Sequence, residues 1–216
     1  MPNAHDMVAG LTGIANEAFG VAIAWHAIIA LALLAVIAGW RPSTRWTARA
    51  LAAPLASVSA VAWIYGNPVN GAIFAMLAAA LLVLAPRVAD RRIARGPAWA
   101  TIIGAAMLAF GWTYPHFLLT TSPWPFIYGA PLGLLPCPTL SATIGVALVG
   151  GGLGWAKGSL TLAAIGVLYG VFGAVRLGVA IDAALIFGAV ALIVLVTWPR
   201  SHRRDVRPPS ATLAGR

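Results

Sequence analysis

Few side chains in this 216-residue chain could do chemistry: five acids, four histidines and one cysteine. Asp90 and Asp205 sit among arginines, where ordinary surface pairing explains them. Asp6, Glu17 and Asp182 do not sit so. Glu17, in "IANEAFG", and Asp182, in "LGVAID", each stand at the mouth of an apolar run. An ionisable group placed in or beside such a run is a functional candidate, because burying it is costly. The structural use open to both is an ion pair with Arg176, the basic residue nearest them, and that pairing is expected of at least one.

Cys137 and His116 bracket a proline-rich connection. Thiolate and imidazole are ligands for soft or borderline metals, so the two are weak metal candidates. No CxxC, HxxxH or CxC spacing supports them, and a buried cysteine commonly acts as a small apolar residue. Asn16, Glu17, Asn67, Tyr114, His116, Cys137, Thr139 and Asp182 share one property, position: each is expected near the same face of a membrane. Together they form the candidate ligand pocket. His26, about 13 Å along its helix from Glu17, is expected instead to bond a backbone carbonyl or a Ser/Thr on a neighbouring helix.

The elements that must position these groups are apolar. Hydrophobic residues make up 61% of the chain and charged residues 9%, with a mean hydropathy of +0.89. A soluble domain carries about 25% charged residues. Lipid is the solvent such a composition fits, and a backbone in lipid must satisfy its own hydrogen bonds. The runs are rich in Ala, Leu and Val and do not alternate as barrel strands do, so they read as helices. The fold class is an all-α polytopic bundle of seven spans: about 18–39, 47–65, 68–86, 98–119, 138–152, 159–175 and 179–198. Residues 1–198 form one transmembrane domain. Residues 199–216 form a basic, Pro-rich tail, expected to be disordered and to meet anionic lipid.

Charge supports the odd number. Of fourteen Lys and Arg residues, all but Arg176 fall in alternate connections or in the tail. The positive-inside rule makes that side cytoplasmic, with the N-terminus outside and the C-terminus inside. The net charge of +9 is thereby membrane-flanking charge, and nucleic acid is not an expected partner. No positively charged leader with a short apolar core opens the chain, so no signal peptide is expected.

The stretch "YGAPLGLLPCPTLSATIG" breaks this apolar pattern with three prolines, three glycines and the cysteine. It closes the longest connection, about 115–138, which is apolar and aromatic rather than polar. Irregular backbone at membrane depth needs protein or a water-filled cavity around it. Two readings stand: an interfacial anchor or plug, and a lid that touches a ligand. GxSxG, HExxH, P-loop and dinucleotide patterns are missing, so neither an enzyme nor a cofactor is expected.

Several segments resemble a known family. They are "ANEAF", "NPVNGAIFAMLAAALLV", the "YP" after the fourth run and, most specifically, "GLLPCPTLSATIGVAL". Together they are similar to a bacterial family of uncharacterised seven-span membrane proteins, a domain of unknown function sometimes labelled permease, with a glycine-led Pro-Cys-Pro-Thr stretch. The resemblance covers most of 11–198 and implies the fold and topology, with no substrate. The segment around Tyr65 is compressed relative to the family pattern. The resulting expectation is a multi-pass bacterial inner-membrane protein whose outer-side pocket handles a small solute or ion. The alternative is an accessory or assembly subunit of a membrane complex, without ligand chemistry of its own. A homo-oligomer and a complex partner both stay open.

Overall fold

The structure, a computed structural model, describes residues 3–198; the basic tail lies outside the described residues. Those residues are helical, and their one β feature is an isolated antiparallel bridge between Ser43 and Arg92. The helices are α1 (Ala4–Glu17), α2 (Phe19–Ile37), α3 (Thr44–Ile64), α4 (Pro68–Leu84), α5 (Ala98–Thr113), the short α6 (Pro125–Gly129), α7 (Pro136–Val149), α8 (Ala156–Val171) and α9 (Ala183–Thr197). Five helical segments are long and apolar enough to cross a membrane: 19–37, 44–64, 68–87, 156–176 and 180–197. This is the mark of a membrane protein. α5 and α7 are apolar but shorter, at 16 and 14 residues.

Local chemistry sets the helix ends. Asn3, Ser43 and Asn67 each cap a helix N-terminus by accepting a backbone N–H on their side-chain oxygen. Pro68 and Pro136 stand in the first turns of α4 and α7, where the missing N–H leaves no bond unmade. α5 stops at Thr113, not near 119, because Pro115 bars Tyr114 from helical backbone. A helix not expected from the sequence, α1, precedes the first apolar run. α1 ends at Glu17, the chain turns at Ala18, and α2 begins. Before α9 the chain makes a short 3-10 turn, Ala180–Asp182.

α7 is the hub, with eleven of its fourteen residues buried. Protein rather than lipid surrounds it, so its length of about 21 Å need not match the ~30 Å hydrocarbon core. It meets α5 backbone to backbone. A Cβ on Gly104 would lie 2.7 Å from the Gly145 carbonyl, and one on Gly145 would lie 2.7 Å from the Gly104 carbonyl. Small residues allow this approach, and in lipid such packing replaces the hydrophobic drive. Gly166 likewise admits Ile144 of α7 and Ala189 of α9.

The bundle has two chemically distinct ends. At one, the α2–α3 and α4–α5 connections run side by side, with Thr44 N–H on the Arg91 carbonyl and Ile93 N–H on the Pro42 carbonyl. Arg41, Arg45, Arg49, Arg87, Arg91, Arg92 and Arg95 gather on or beside these connections. At the other end stand Glu17, Asn67, Tyr114, Cys137 and Asp182. The connection from Pro115 to Leu135 also lies there. Its second half folds into the bundle: Ala130, Leu134 and Leu135 are buried in a core with Ile14, Ala22 and Tyr114, and Leu132 is buried as well. α2 lies over this half, with the Phe19 ring on Gly129 and the Trp25 ring on Gly133. Gly133 also has φ +76°, which disfavours a side chain for a second reason.

Candidate functional site

Asp182 is 1% exposed. The Tyr114 hydroxyl donates to its Oδ1 at 2.6 Å, and the Cys137 thiol donates to its Oδ2 at 3.2 Å. The first distance belongs to the short, charge-assisted class. Three parts of the fold bring these groups together: the residue after α5, the first turn of α7 and the 3-10 turn before α9. A fourth supplies the space. A Cβ on Gly173 would overlap the carboxylate, so its absence forms the notch that holds Oδ2. Gly173 lies in a π turn, Phe172–Arg176, that extends α8. The Val179 N–H closes onto the Gly173 carbonyl at 2.9 Å, and the Asp182 N–H onto the Val179 carbonyl at 3.0 Å.

Two polar arms flank this centre. His116, half-buried in the loop after α5, packs edge-on against Phe117. Phe117 stacks on Tyr114 with 9° between the planes. Tyr169 of α8 belongs to the apolar core against which Cys137 packs. Its hydroxyl donates to Asn70 Oδ1 at 2.7 Å.

Of the eight candidates, the structure brings Tyr114, Cys137 and Asp182 into contact and joins His116 to Tyr114 through the ring of Phe117. The other four are used elsewhere. Asn16 spends its whole amide on backbone: Nδ2 donates to the Thr12 and Phe117 carbonyls, and Oδ1 accepts from the Leu119 N–H. It thereby clamps Phe117, whose φ of +72° is a strained value for a side-chain-bearing residue. Glu17 is exposed beside Tyr65; desolvation and then the Glu17 carboxylate push the Tyr65 hydroxyl up. Asn67 caps α4. Thr139 is fully buried, accepting from the Gly133 N–H and donating to the Leu135 carbonyl, so it ties the connection to α7.

The expected ion pair with Arg176 does not form. Arg176 is exposed at the end of the π turn, and the hydrogen-bond partners of Asp182 are a phenol and a thiol. His116 and Cys137 are not joined in a ligand set either: among the described residues no three of His, Cys, Asp and Glu gather as metal ligands do. His26 is buried, with one ring nitrogen 2.9 Å from the Ala22 carbonyl of its own helix and the other 2.9 Å from the Trp112 carbonyl of α5. The Trp112 carbonyl lies in the last turn of α5, where carbonyls lack helical partners.

Sequence reasoning missed Tyr169, Asn70 and Gly173. Gly173 carried a signal, since Gly166, Gly170 and Gly173 form a small-residue stripe. Tyr169 carried none beyond its presence within an apolar span. At the opposite end a cleft of about 410 Å³ opens between Gly151, Gly152, Trp155, Val196 and Trp198, away from Asp182. No family model, curated protein or solved structure matches the chain.

Proposed function

We propose that the chain is a seven-span protein of a bacterial inner membrane, of the uncharacterised permease-like family that its Pro-Cys-Pro-Thr stretch resembles. Its N-terminus is outside and its C-terminus cytoplasmic. It moves a small solute or ion by way of a polar centre near the outer face. The observation that carries this reading is Asp182: a carboxylate 1% exposed in an apolar bundle, held by Tyr114 and Cys137 and, among the described residues, by no arginine or lysine. Even after relaxation a buried ion costs several kcal/mol. Within a span, such a group marks a solute or proton route by default. The short α5 and α7 count as spans because they sit among the other helices, where lipid thickness does not constrain them.

Reconstituted vesicles test the function. Stopped-flow light scattering on proteoliposomes challenged with small neutral solutes and monovalent salts should show at least one permeating faster than in empty vesicles. Asp182→Asn should abolish the difference. Equal rates for every solute would defeat the reading.

A second reading rests on α2. Only 11% of its apolar window is buried, against 56% for α3. Ile28, Leu31, Leu34 and Ile37 stand exposed along it. An accessory subunit would use such a helix against a partner, and purification in mild detergent would then recover that partner in fixed ratio.

A further inference from the structure

The arginine-bearing end of the bundle is more ordered than orientation in a membrane requires. Residues 40–97 hold seven arginines and one acid, Asp90. The positive-inside rule counts charges and is indifferent to how their connections are held. Here the two connections are pinned together. The Thr44 N–H donates to the Arg91 carbonyl at 2.8 Å, the Ile93 N–H to the Pro42 carbonyl at 3.1 Å, and Ser43 pairs with Arg92 across the isolated bridge. Two of the arginines are engaged within the protein. The Arg41 guanidinium donates to the Val36 and Trp40 carbonyls, and Arg45 Nε donates to the Val88 carbonyl. The other five, Arg49, Arg87, Arg91, Arg92 and Arg95, are exposed, and no hydrogen bond ties their side chains among the described residues.

Amphipathic and apolar groups stand at the same end. Trp40 and Trp46 flank the pinned residues 42–44, both exposed, with ring centroids 4.8 Å apart and planes at 89°. Such rings settle where an apolar layer meets a polar one. Ile37 at the end of α2 and Leu84 at the end of α4 are exposed as well. Guanidinium matches phosphate with two parallel hydrogen bonds. A soluble acidic partner would use the arginines and leave the tryptophans and the apolar helix ends uncovered. A phospholipid uses all three at once. We infer that this end is a docking surface for an anionic phospholipid. Its headgroup phosphate meets Arg91, Arg92 and Arg95, its glycerol lies level with Trp40 and Trp46, and its chains run along the exposed apolar ends of α2 and α4. A basic cluster beside a membrane span attracts such lipids by charge, and a surface already pinned gives up little freedom on binding one. The inference holds whichever side of the membrane this end faces, and it requires neither Asp182 nor a solute.

The chain has nine tryptophans, so the share of Trp40 and Trp46 is read by difference. The full chain and its Trp40→Phe,Trp46→Phe variant are placed in phosphatidylcholine nanodiscs that carry a small fraction of brominated lipid, either phosphatidylglycerol or phosphatidylcholine. The fluorescence that the variant lacks should be quenched by the brominated glycerol lipid at a fraction about tenfold lower than by the brominated choline lipid. Arg91→Gln,Arg92→Gln,Arg95→Gln should remove that preference, and Arg200→Gln,Arg203→Gln,Arg204→Gln,Arg207→Gln should keep it. Loss of the preference in the second variant alone would place the site in the tail and overturn the inference. Equal quenching by the two lipids in the unaltered chain would overturn it whether or not the arginine variants fold. Capture of polyglutamate by the same discs would then give the arginines to a soluble acidic partner.

Discussion

Tyr114 shows how much one atom decides at the residue scale. Its ring is packed by Phe110 and Phe117 and is fully buried, so Tyr114→Phe leaves the packing in place and removes only the hydroxyl. Asp182 Oδ1 then loses the short bond and keeps no other donor. Hydrogen bonds to charged groups contribute about 1.5–3 kcal/mol. Tyr114→Phe is expected to destabilise by that amount in reversible unfolding from mixed micelles, and Asp182→Asn,Tyr114→Phe together by less than the sum of the singles. Additive losses would show that the two side chains do not act on one another. Tyr114, Cys137 and Asp182 were legible in the sequence as oddities near one membrane face. Their contact was not, because they are 23 and 45 residues apart in the chain.

At the scale of elements, the two arginine-bearing connections hold one another through backbone bonds, and Asp90 reinforces the join. The Ser43 hydroxyl beside it and the Arg45 N–H, which donates to Oδ1 at 3.2 Å, hold the Asp90 carboxyl below its usual range. The sign follows: a carboxyl held low binds fewer protons folded than unfolded, so its stabilisation is present above the unfolded value and is lost as pH falls through the folded one. The melting-temperature gap between the wild type and Asp90→Asn should therefore be present at neutral pH and close below about pH 4. A gap that does not change with pH would remove Asp90 from the account. The connection from Pro115 to Leu135 shows the other side of element reading. Its prolines marked a break, and its apolar residues marked contact with the bundle. That Phe19 and Trp25 would seat on Gly129 and Gly133 depends on where α2 lies, which no local pattern encodes.

At the scale of the whole molecule, five helical segments are long and apolar enough to cross a membrane, and the arginine-bearing connections lie at the opposite end of the bundle from Glu17 and Asp182. A reporter fused after Arg216 should be active only in its cytoplasmic form if the arginine end faces the cytoplasm. Activity of a periplasmic reporter there would overturn the seven-span orientation.

Composition alone determined that lipid is the solvent and that helices are the elements, because an unpaired backbone group in lipid is too costly for other structure. Proline and asparagine set several helix ends locally, at Asn67-Pro68, Tyr114-Pro115 and Pro136. Only the tertiary structure decided that Asp182 meets a phenol and a thiol instead of Arg176. The three side chains come from the end of α5, the first turn of α7 and the turn before α9, and contacts between segments 23 and 45 residues apart leave no mark in a local sequence pattern.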